Sequence, residues 1–321
     1  MSFDADLLAD RRRLRRRLSW WRAFAFLVVI AVILGGAWAM RDRVSVGEKQ
    51  IARIEISGFI SGDDRTLDLI KRVRESNSVA AVIVELSSPG GTTAGSEALY
   101  DALRRLSAKK PTVTVVDTLA ASGGYIAAIG TDHIVSRETS LVGSIGVLFQ
   151  YPNFTSLLDH VGISVESIKS SPLKAAPSGF EPTSPEARAA IASLVSDSFA
   201  WFKRLVRERR SYTDAELNTV ADGRVFTGHQ ALGLKLVDEI GGEREAIAWL
   251  EREKKITPDL PVREWKRRSS DSEWGLWSAL GTGATFLGWH DVAAIFDRLD
   301  NQLAAQRLDG LLALWHPALE K

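Results

Sequence analysis

The sequence AAVIVELSSPGGTTAGSEALYDALRRLSAKKPTVTVV, residues 80–116, decides the fold class because it holds a strand, a helix and a second strand in succession. Residues 80–86 are an apolar run without alternating polarity, which is typical of a strand buried on both faces. Residues 94–107 carry apolar side chains at helical spacing, and residues 111–116 are rich in β-branched residues. This unit predicts an α/β domain whose helices cover both faces of a sheet.

The same alternation extends along the chain in both directions. Further strands are predicted at residues 51–56, 133–136, 145–149 and 164–169, and further helices at residues 65–76, 122–129, 154–160, 185–210 and 243–254. The helix ending at residue 210 closes with RERR, which we interpret as a solvated cationic terminus favoured by the helix dipole. Beyond residue 260 the sequence becomes rich in tryptophan and predicts a helical extension over residues 261–321.

The N-terminus has the charge pattern of a membrane anchor. Residues 1–22 hold seven arginines against three aspartates, and residues 23–40 are an uncharged run of 18 residues. As a helix this run would span about 27 Å, close to the hydrocarbon thickness of a bilayer. The positive-inside rule predicts a cytoplasmic basic segment, a signal anchor at 23–40, a linker at 41–49 and an exported remainder. The alternatives are cleavage after Ala39 and a buried soluble helix.

Composition limits the partners of the chain. Of its 321 residues 45% are apolar and 25% charged, which is typical of a folded protein. The net charge of +1 and the lack of nucleic-acid-binding motifs argue against a nucleic-acid partner. The chain has no cysteine and therefore no disulfide, and no motif predicts a metal or another cofactor.

Ser122 lies in DTLAASGGYIAAIG, residues 117–130, and is either a turn residue or a nucleophile. A serine nucleophile requires a base, and none of the five histidines lies in a segment typical of a catalytic loop, although a distant triad stays possible. A lysine can serve when burial or a neighbouring cation makes it lose its proton near neutral pH. Lys174, between two prolines and flanked by apolar residues, is the candidate base.

Backbone N–H groups near Ser122 could stabilise a developing oxyanion. Gly90 and Gly91 follow a buried strand in LSSPGGT, and Gly123 begins the helix after Ser122. Glycines expose their N–H groups without side chains in the way, and a helix N-terminus adds its dipole. The alternative is that the Pro-Gly-Gly sequence is only a tight strand-to-helix turn.

The combination resembles the signal peptide peptidase A proteases of the protease IV family, in their short single-repeat form. The matching motifs are SSPGG, ASGGYIAA, GSIGVL, KSSPLKAAPSGFEP and FTGHQALGLKLVDEIGG, in the family's order over residues 50–255. The resemblance implies that Ser122 is the nucleophile and Lys174, 52 positions later, its general base. It also implies that Ser144 orients the lysine and that Gly90 or Gly91, with Gly123, forms the oxyanion site. Ser87 stands where many relatives have asparagine, which puts one supporting contact in doubt.

The resemblance also implies an architecture and a setting. The expected fold is a ClpP and crotonase-like α/β core of repeated β-β-α units over residues 50–260, behind one transmembrane helix. The expected assembly is a membrane-seated homo-oligomeric ring, eight subunits being one candidate size, with active sites shared between neighbours. The expected substrates are released signal peptides and other short or unfolded segments, on the extracytoplasmic side of a bacterial inner membrane.

Several rival interpretations stay open on the sequence. A SohB-type protease shares the dyad, whereas for stomatin-associated proteases we expect a shorter interval between serine and lysine. A crotonase-type enzyme acting on acyl thioesters and a non-catalytic membrane scaffold are alternatives outside the proteases. The tryptophans beyond residue 260 either pack on a neighbouring subunit or the bilayer, or cover the chain's own core.

Overall fold

The structure is a computed structural model that describes residues 48–267 continuously, together with Trp20, Trp21, Leu27, Ile30 and residues 312–314. The chain divides into two compact units, Met1–Glu48 and Lys49–Lys321. The four described residues between 20 and 30 are helical, and the rest of the predicted anchor lies outside the described residues. No helix among the described residues is long and apolar enough to span a membrane.

The second unit alternates strands and helices through its first half, as the pattern of residues 80–116 predicts. The strands are β1 Gln50–Ile60, β2 Val79–Thr92, β3 Thr112–Ala121, β4 His133–Ser136, β5 Leu141–Gly143, β6 Val225–Thr227, β7 Glu239–Ile240, β8 Val262–Glu264 and β9 Leu312–Leu314. The helices are α1 Asp64–Glu75, α2 Thr93–Ser107, α3 Gly123–Ala128, α4 Thr155–Val161, α5 Pro185–Arg210, α6 Asp214–Val220, α7 Gly228–Gly233 and α8 Glu243–Lys254.

These strands form one mixed sheet with β2 near its centre. The strand order is β6-β5-β3-β2-β1-β8, and β1, β2, β3 and β8 run parallel. The first half of β3 pairs with β4 and its last residues pair with β5, both in parallel. Two pairings are antiparallel, β5 with β6 and β2 with β9. The sheet therefore carries the C-terminal ends of β2, β3 and β5 side by side.

Helices cover both faces of this sheet. One face packs Val82, Val84 and Leu86 of β2 against the apolar sides of α1, α2, α3 and α5. The other face packs Ala81 and Ile83 against α8, chiefly through residues 246–250. Burial on both faces explains why residues 80–86 show no alternating polarity.

Two sequence predictions about this region are wrong, and one alternative that the sequence left open is excluded. Residues 145–149 do not form a strand; the strand is Leu141–Gly143, directly before Ser144. Residues 164–169 have no regular secondary structure and are mostly exposed, so their apolar side chains do not reflect a buried strand. The Pro-Gly-Gly sequence is not a tight turn, because β2 continues to Thr92 while Gly90 and Gly91 pair with Phe59 and Ile60 of β1.

The RERR sequence is also not a simply solvated terminus. Arg209 donates to the carbonyl oxygens of Ile129 (2.8 Å) and Thr131 (2.9 Å), just beyond the end of α3. Arg210 donates to the carbonyl oxygen of Lys235 and forms a bidentate pair with the carboxylate of Asp238. Carbonyl groups at the end of α3 have no partners within the helix, so Arg209 supplies donors that the backbone lacks. The end of α5 thus fastens the end of α3 to the core.

Candidate active site

Ser122 lies at a sharp junction between strand and helix. β3 ends at Ala121, α3 begins at Gly123, and Ser122 between them has φ 54° and ψ −116°. L-residues rarely adopt this backbone conformation, which concentrates at functional sites such as the nucleophile elbows of serine hydrolases. The N–H of Ser122 donates to the carbonyl oxygen of Gly143 (2.8 Å), and its carbonyl accepts from Ile126 (3.0 Å). Contacts on both sides therefore hold the strained residue in place.

The glycines after Ser122 allow α3 to start against β2. A Cβ placed on Gly124 would lie 2.6 Å from the carbonyl oxygen of Ser88, and real Cβ atoms do not come that close. Ser88 in turn pairs with Ala120 in the sheet. Gly124 therefore brings the first turn of α3 directly onto the end of β2. The N–H of Gly123, in that first turn, has no partner within the helix.

Ser144 follows the strand that neighbours β3. Ala121 and Gly143 are partners in the β3–β5 ladder, so Ser122 and Ser144 each come one residue after a paired position. Ser144 is buried, has φ 51° and donates its N–H to the carbonyl oxygen of Arg224 (2.8 Å). The Ser122 hydroxyl donates to the carbonyl oxygen of Gly146 (3.4 Å), two residues beyond Ser144. The structure thus brings the two serines to the same end of the sheet.

Gly90 and Gly91 lie at that same end. Gly90 has φ 110°, and its N–H donates to the hydroxyl oxygen of Ser88 (3.1 Å). The Ser88 hydroxyl donates to the carbonyl oxygen of Gly58 in β1 (2.6 Å) and is completely buried. A Cβ on Gly91 would lie 1.8 Å from the carbonyl oxygen of Ile60, so only glycine fits there. Ser88 therefore joins Gly90 to β1 through its hydroxyl hydrogen bonds, and its carbonyl oxygen packs against Gly124 of α3.

Lys174 is the one predicted site residue that is exposed to solvent. Its side chain is exposed, and within residues 48–267 no hydrogen bond joins its Nζ to the Ser122 hydroxyl. Its backbone N–H donates to the carbonyl oxygen of Ser171 (3.1 Å) in a turn that includes Ala175 at φ 57°. In a single chain the Lys174 side chain is therefore accessible to solvent.

The loop that carries Lys174, residues 169–181, is called the lysine loop, and several contacts close it at its base. Lys169 Nζ and Glu181 Oε2 are 2.5 Å apart, with both side chains partly buried. The pKa of the Glu181 carboxyl is lowered, first by its hydrogen bond from Lys169 and then by one from Ser167. Phe154 reinforces the closure, because its N–H donates to the carbonyl oxygen of Gly179 (2.8 Å) and its ring stacks on Phe180. The loop is thus a defined structure that presents Lys174 near its tip.

Four residues that shape this site are not predicted from the sequence. Ser88 was visible in SSPGG, and a serine two residues before a glycine N–H could have indicated the local hydrogen bond. Gly124 was visible as the second glycine after Ser122, although its contact with β2 depends on the sheet. The pairing of Lys169 with Glu181 had only the weak signal of opposite charges at the two ends of one loop.

Comparison with known proteins identifies the family. The family model described as "Peptidase family S49" matches residues 104–257, a range that contains Ser122, Ser144 and Lys174. A Synechocystis protein described as a candidate protease is 38% identical over 213 residues, which are 66% of this chain and 76% of that protein. The chain belongs to peptidase family S49.

Two further relatives bear on the branch of the family. An Enterococcus faecium protein described as a candidate signal peptide peptidase SppA is 31% identical to this S49 chain over 234 residues, 68% of this chain and 67% of that protein. A Haemophilus influenzae protein described as a candidate protease SohB is 30% identical over 207 residues, 63% of this chain and 58% of that protein. The two identities are nearly equal, so they assign the chain to a family of proteases without choosing a branch.

Proposed function

We propose that this S49 chain is a serine endopeptidase in which Ser122 is the nucleophile and Lys174 the general base. The observation that carries this proposal is the conformation of Ser122, held at φ 54° between β3 and α3 with its hydroxyl at the C-terminal end of the sheet. A packing serine has no need of a strained backbone, whereas a nucleophile must project from a turn. Membership of a protease family supports the same conclusion.

The proposed reaction is acyl transfer followed by hydrolysis. Ser122 Oγ attacks the scissile carbonyl carbon, and its proton passes to the neutral amine of Lys174. The N–H of Gly123 and an N–H of the pair Gly90 and Gly91 donate to the oxyanion. The lysine then gives its proton to the departing peptide amine, and a water molecule attacks the acyl-serine by the same route. Ser144 has the role of accepting from or donating to the lysine amine so that it faces Ser122.

We further propose that Ser122 and Lys174 of one site come from two subunits of a ring-shaped homo-oligomer. The exposed position of Lys174 supports this, since a base that serves its own chain would be held beside Ser122. The segment around it also exposes apolar side chains that a neighbour could cover, and α4 buries none of its residues. The exposed apolar residues of this segment are Phe154, Leu157, Val161, Ile163, Val165, Ile168, Leu173 and Phe180.

The setting we propose is the extracytoplasmic face of a bacterial inner membrane, with residues 23–40 as the anchor. The arginines of residues 1–22 and the uncharged run behind them support this topology. The substrates would be released signal peptides and other unfolded segments, and the core would have the ClpP and crotonase-like form. The resemblance to signal peptide peptidases is the basis for both statements.

A cleavage assay tests the proposed activity. We expect the detergent-solubilised chain to cleave a fluorogenic signal peptide and an unfolded protein, and not to bind coenzyme A. Coenzyme A binding without peptide cleavage would favour an acyl-thioester enzyme instead. Neither activity, in a sample whose oligomeric size is confirmed, would favour the scaffold interpretation.

The ion pair between Lys169 and Glu181, at the base of the lysine loop, yields a separate prediction. We expect Glu181→Gln to lower kcat about tenfold with little change in KM, because the loop then holds the Lys174 amine less firmly. The control is Glu186→Gln, which neutralises an exposed glutamate on α5 outside the loop. Exchanging both charges, in Lys169→Glu with Glu181→Lys, should restore part of the rate. A pair without a positioning role would leave kcat unchanged in every variant.

A further inference from the structure

The C-terminal end of α3 is bound by an arginine from another helix. Arg209, in the last turn of α5, donates through Nε to the carbonyl oxygen of Ile129 (2.8 Å) and through a terminal nitrogen to that of Thr131 (2.9 Å). Both oxygens lie just beyond Ala128, the last residue of α3, at the end of the helix where the dipole is negative. One planar guanidinium therefore joins the end of α3 to the turn that follows it.

Arg209 occupies this position at an electrostatic cost. Burial is the largest cause that lowers the pKa of its guanidinium, and the charge of Arg104 lowers it further. Arg104 is close because it donates to the carbonyl oxygen of Gly130 (3.1 Å), between the two carbonyls that Arg209 binds. Tyr100 and Asp132 offset part of this effect, but no ion pair joins Arg209 to a carboxylate within the described residues. A cation placed against the electrostatics of its surroundings is typical of functional sites.

α3 is so short that a contact at its end also fixes its beginning. From Ser122 to Ile129 the chain makes two turns and rises about 10 Å. Its hydrogen bonds are continuous over this length, since the N–H of Ile126 donates to Ser122 (3.0 Å) and the N–H of Ile129 donates to Tyr125 (3.0 Å), each time to the carbonyl oxygen. A tilt at the last turn therefore moves Ser122 as well.

The other contacts of α3 lie in its first turn. Gly124 meets the carbonyl oxygen of Ser88, and the buried Tyr125 donates its hydroxyl to the carbonyl oxygen of Leu236 (2.9 Å). Contacts at one end of a short helix leave it free to tilt about that end unless the other end is also bound. Arg209 supplies this second point, and a catalytic group displaced by about 1 Å can cost about 10²-fold in rate.

We propose that Arg209 is a positioning residue for peptide cleavage. Its hydrogen bonds to Ile129 and Thr131 hold α3 at the angle at which Ser122 and the N–H of Gly123 meet the substrate carbonyl. Arg209 thus acts through α3 and not on the substrate. The inference rests on the proposed function, because the angle of α3 affects a rate only if Ser122 attacks peptides.

The test compares Arg209→Ala and Arg209→Lys with the parent chain. Alanine removes both hydrogen bonds, whereas lysine keeps the charge but lacks the planar group that spans two oxygens. We expect kcat to fall about 10²-fold in Arg209→Ala and about tenfold in Arg209→Lys, with KM within about twofold of the parent value. Millimolar methylguanidinium should restore part of the kcat of Arg209→Ala, because the group that is missing is a guanidinium. Arg209→Lys also keeps the test decisive if Arg209→Ala does not fold.

The matched control is Arg207→Ala, which removes another cation from the last turn of α5. Arg207 pairs with Asp214 (3.2 Å) on the surface, and its kcat should equal that of the parent. Hydrogen exchange of the α3 amides, read by mass spectrometry, measures the contact with α3 separately from activity. We expect faster exchange in both Arg209 variants than in the parent chain and the control.

The outcomes separate this inference from the proposed function. Parent values of kcat in both Arg209 variants, with cleavage retained, would overturn the inference and leave the protease proposal intact. The same holds for a lower free energy of unfolding without a change in kcat, which would show a role in stability alone. An equal loss of kcat in Arg207→Ala would also overturn the specific role of Arg209. Faster exchange in α3 with no cleavage by any chain would contradict the proposed function and the positioning role together.

Discussion

Ser122→Ala and Lys174→Ala should each lower peptide cleavage by about 10⁴-fold, and a mixture of the two inactive chains should recover activity. Each variant lacks one half of the proposed dyad, so neither can form a complete site alone. In a shared site the Lys174→Ala chain contributes Ser122, and the Ser122→Ala chain contributes Lys174. Random assembly of equal amounts would make about a quarter of the sites complete.

The measurement is the cleavage rate of a fluorogenic signal peptide after the two chains are dissociated, mixed and reassembled. Lys71→Ala is the matched control, because Lys71 is an exposed lysine on α1, far along the chain from the lysine loop. Inactive single variants that stay inactive after mixing would place both residues in one chain. A Lys174→Ala chain that cleaves at the parent rate would show that the base is another group.

Gly124→Ala should both destabilise the fold and lower the rate of cleavage. The new Cβ would lie 2.6 Å from the backbone oxygen of Ser88, which cannot rotate away as a side chain can. Either α3 shifts away from β2 or β2 itself moves, and both displace Ser122 from Gly90 and Gly91. We expect a loss of about 1 to 3 kcal/mol in the free energy of unfolding and a loss of about 10²-fold or more in kcat.

The matched control is Gly233→Ala at the end of α7, where no atom beyond the adjacent residues and the helix's own backbone lies within 4 Å of the position that a Cβ would take. Alanine there should leave cleavage unchanged and stabilise the chain by up to about 1 kcal/mol, because alanine favours the helix. Chemical denaturation and the peptide assay measure both effects. Gly124→Ala with parent stability and activity would contradict the close packing of α3 against β2.

The parts of the fold that depend on local pattern could be predicted from the sequence. Residues 133–136 and 185–210 form the predicted strand and helix with the predicted limits, because each has a clear period and a clear boundary. Residues 145–149 and 164–169 are apolar too, yet neither run forms a strand: Ile145 is buried in the core outside any strand, and residues 164–169 are mostly exposed. Strand pairing and burial decide such short apolar runs, and both are properties of the tertiary structure.

The candidate site also has one part that the sequence predicts and other parts that depend on the tertiary structure. The unusual setting of Ser122 between alanines and glycines was visible in the sequence. The closeness of Ser144 was not, since it depends on the pairing of Ala121 with Gly143. The continuation of β2 through Gly90 and Gly91 depends on β1, and the strand at Leu312–Leu314 joins residues more than 200 positions apart.

Covalent labelling with a peptidyl phosphonate, followed by mass spectrometry of the digested chain, tests whether Ser122 is an activated nucleophile. Such a probe reacts with a serine only where a base and an oxyanion site activate it. We predict one adduct per active site, located on Ser122, that forms at least about 10²-fold more slowly in Lys174→Ala. An adduct on another residue would show that Ser122 is not the nucleophile, and labelling of Ser122 at the same rate in Lys174→Ala would show that Lys174 does not activate it.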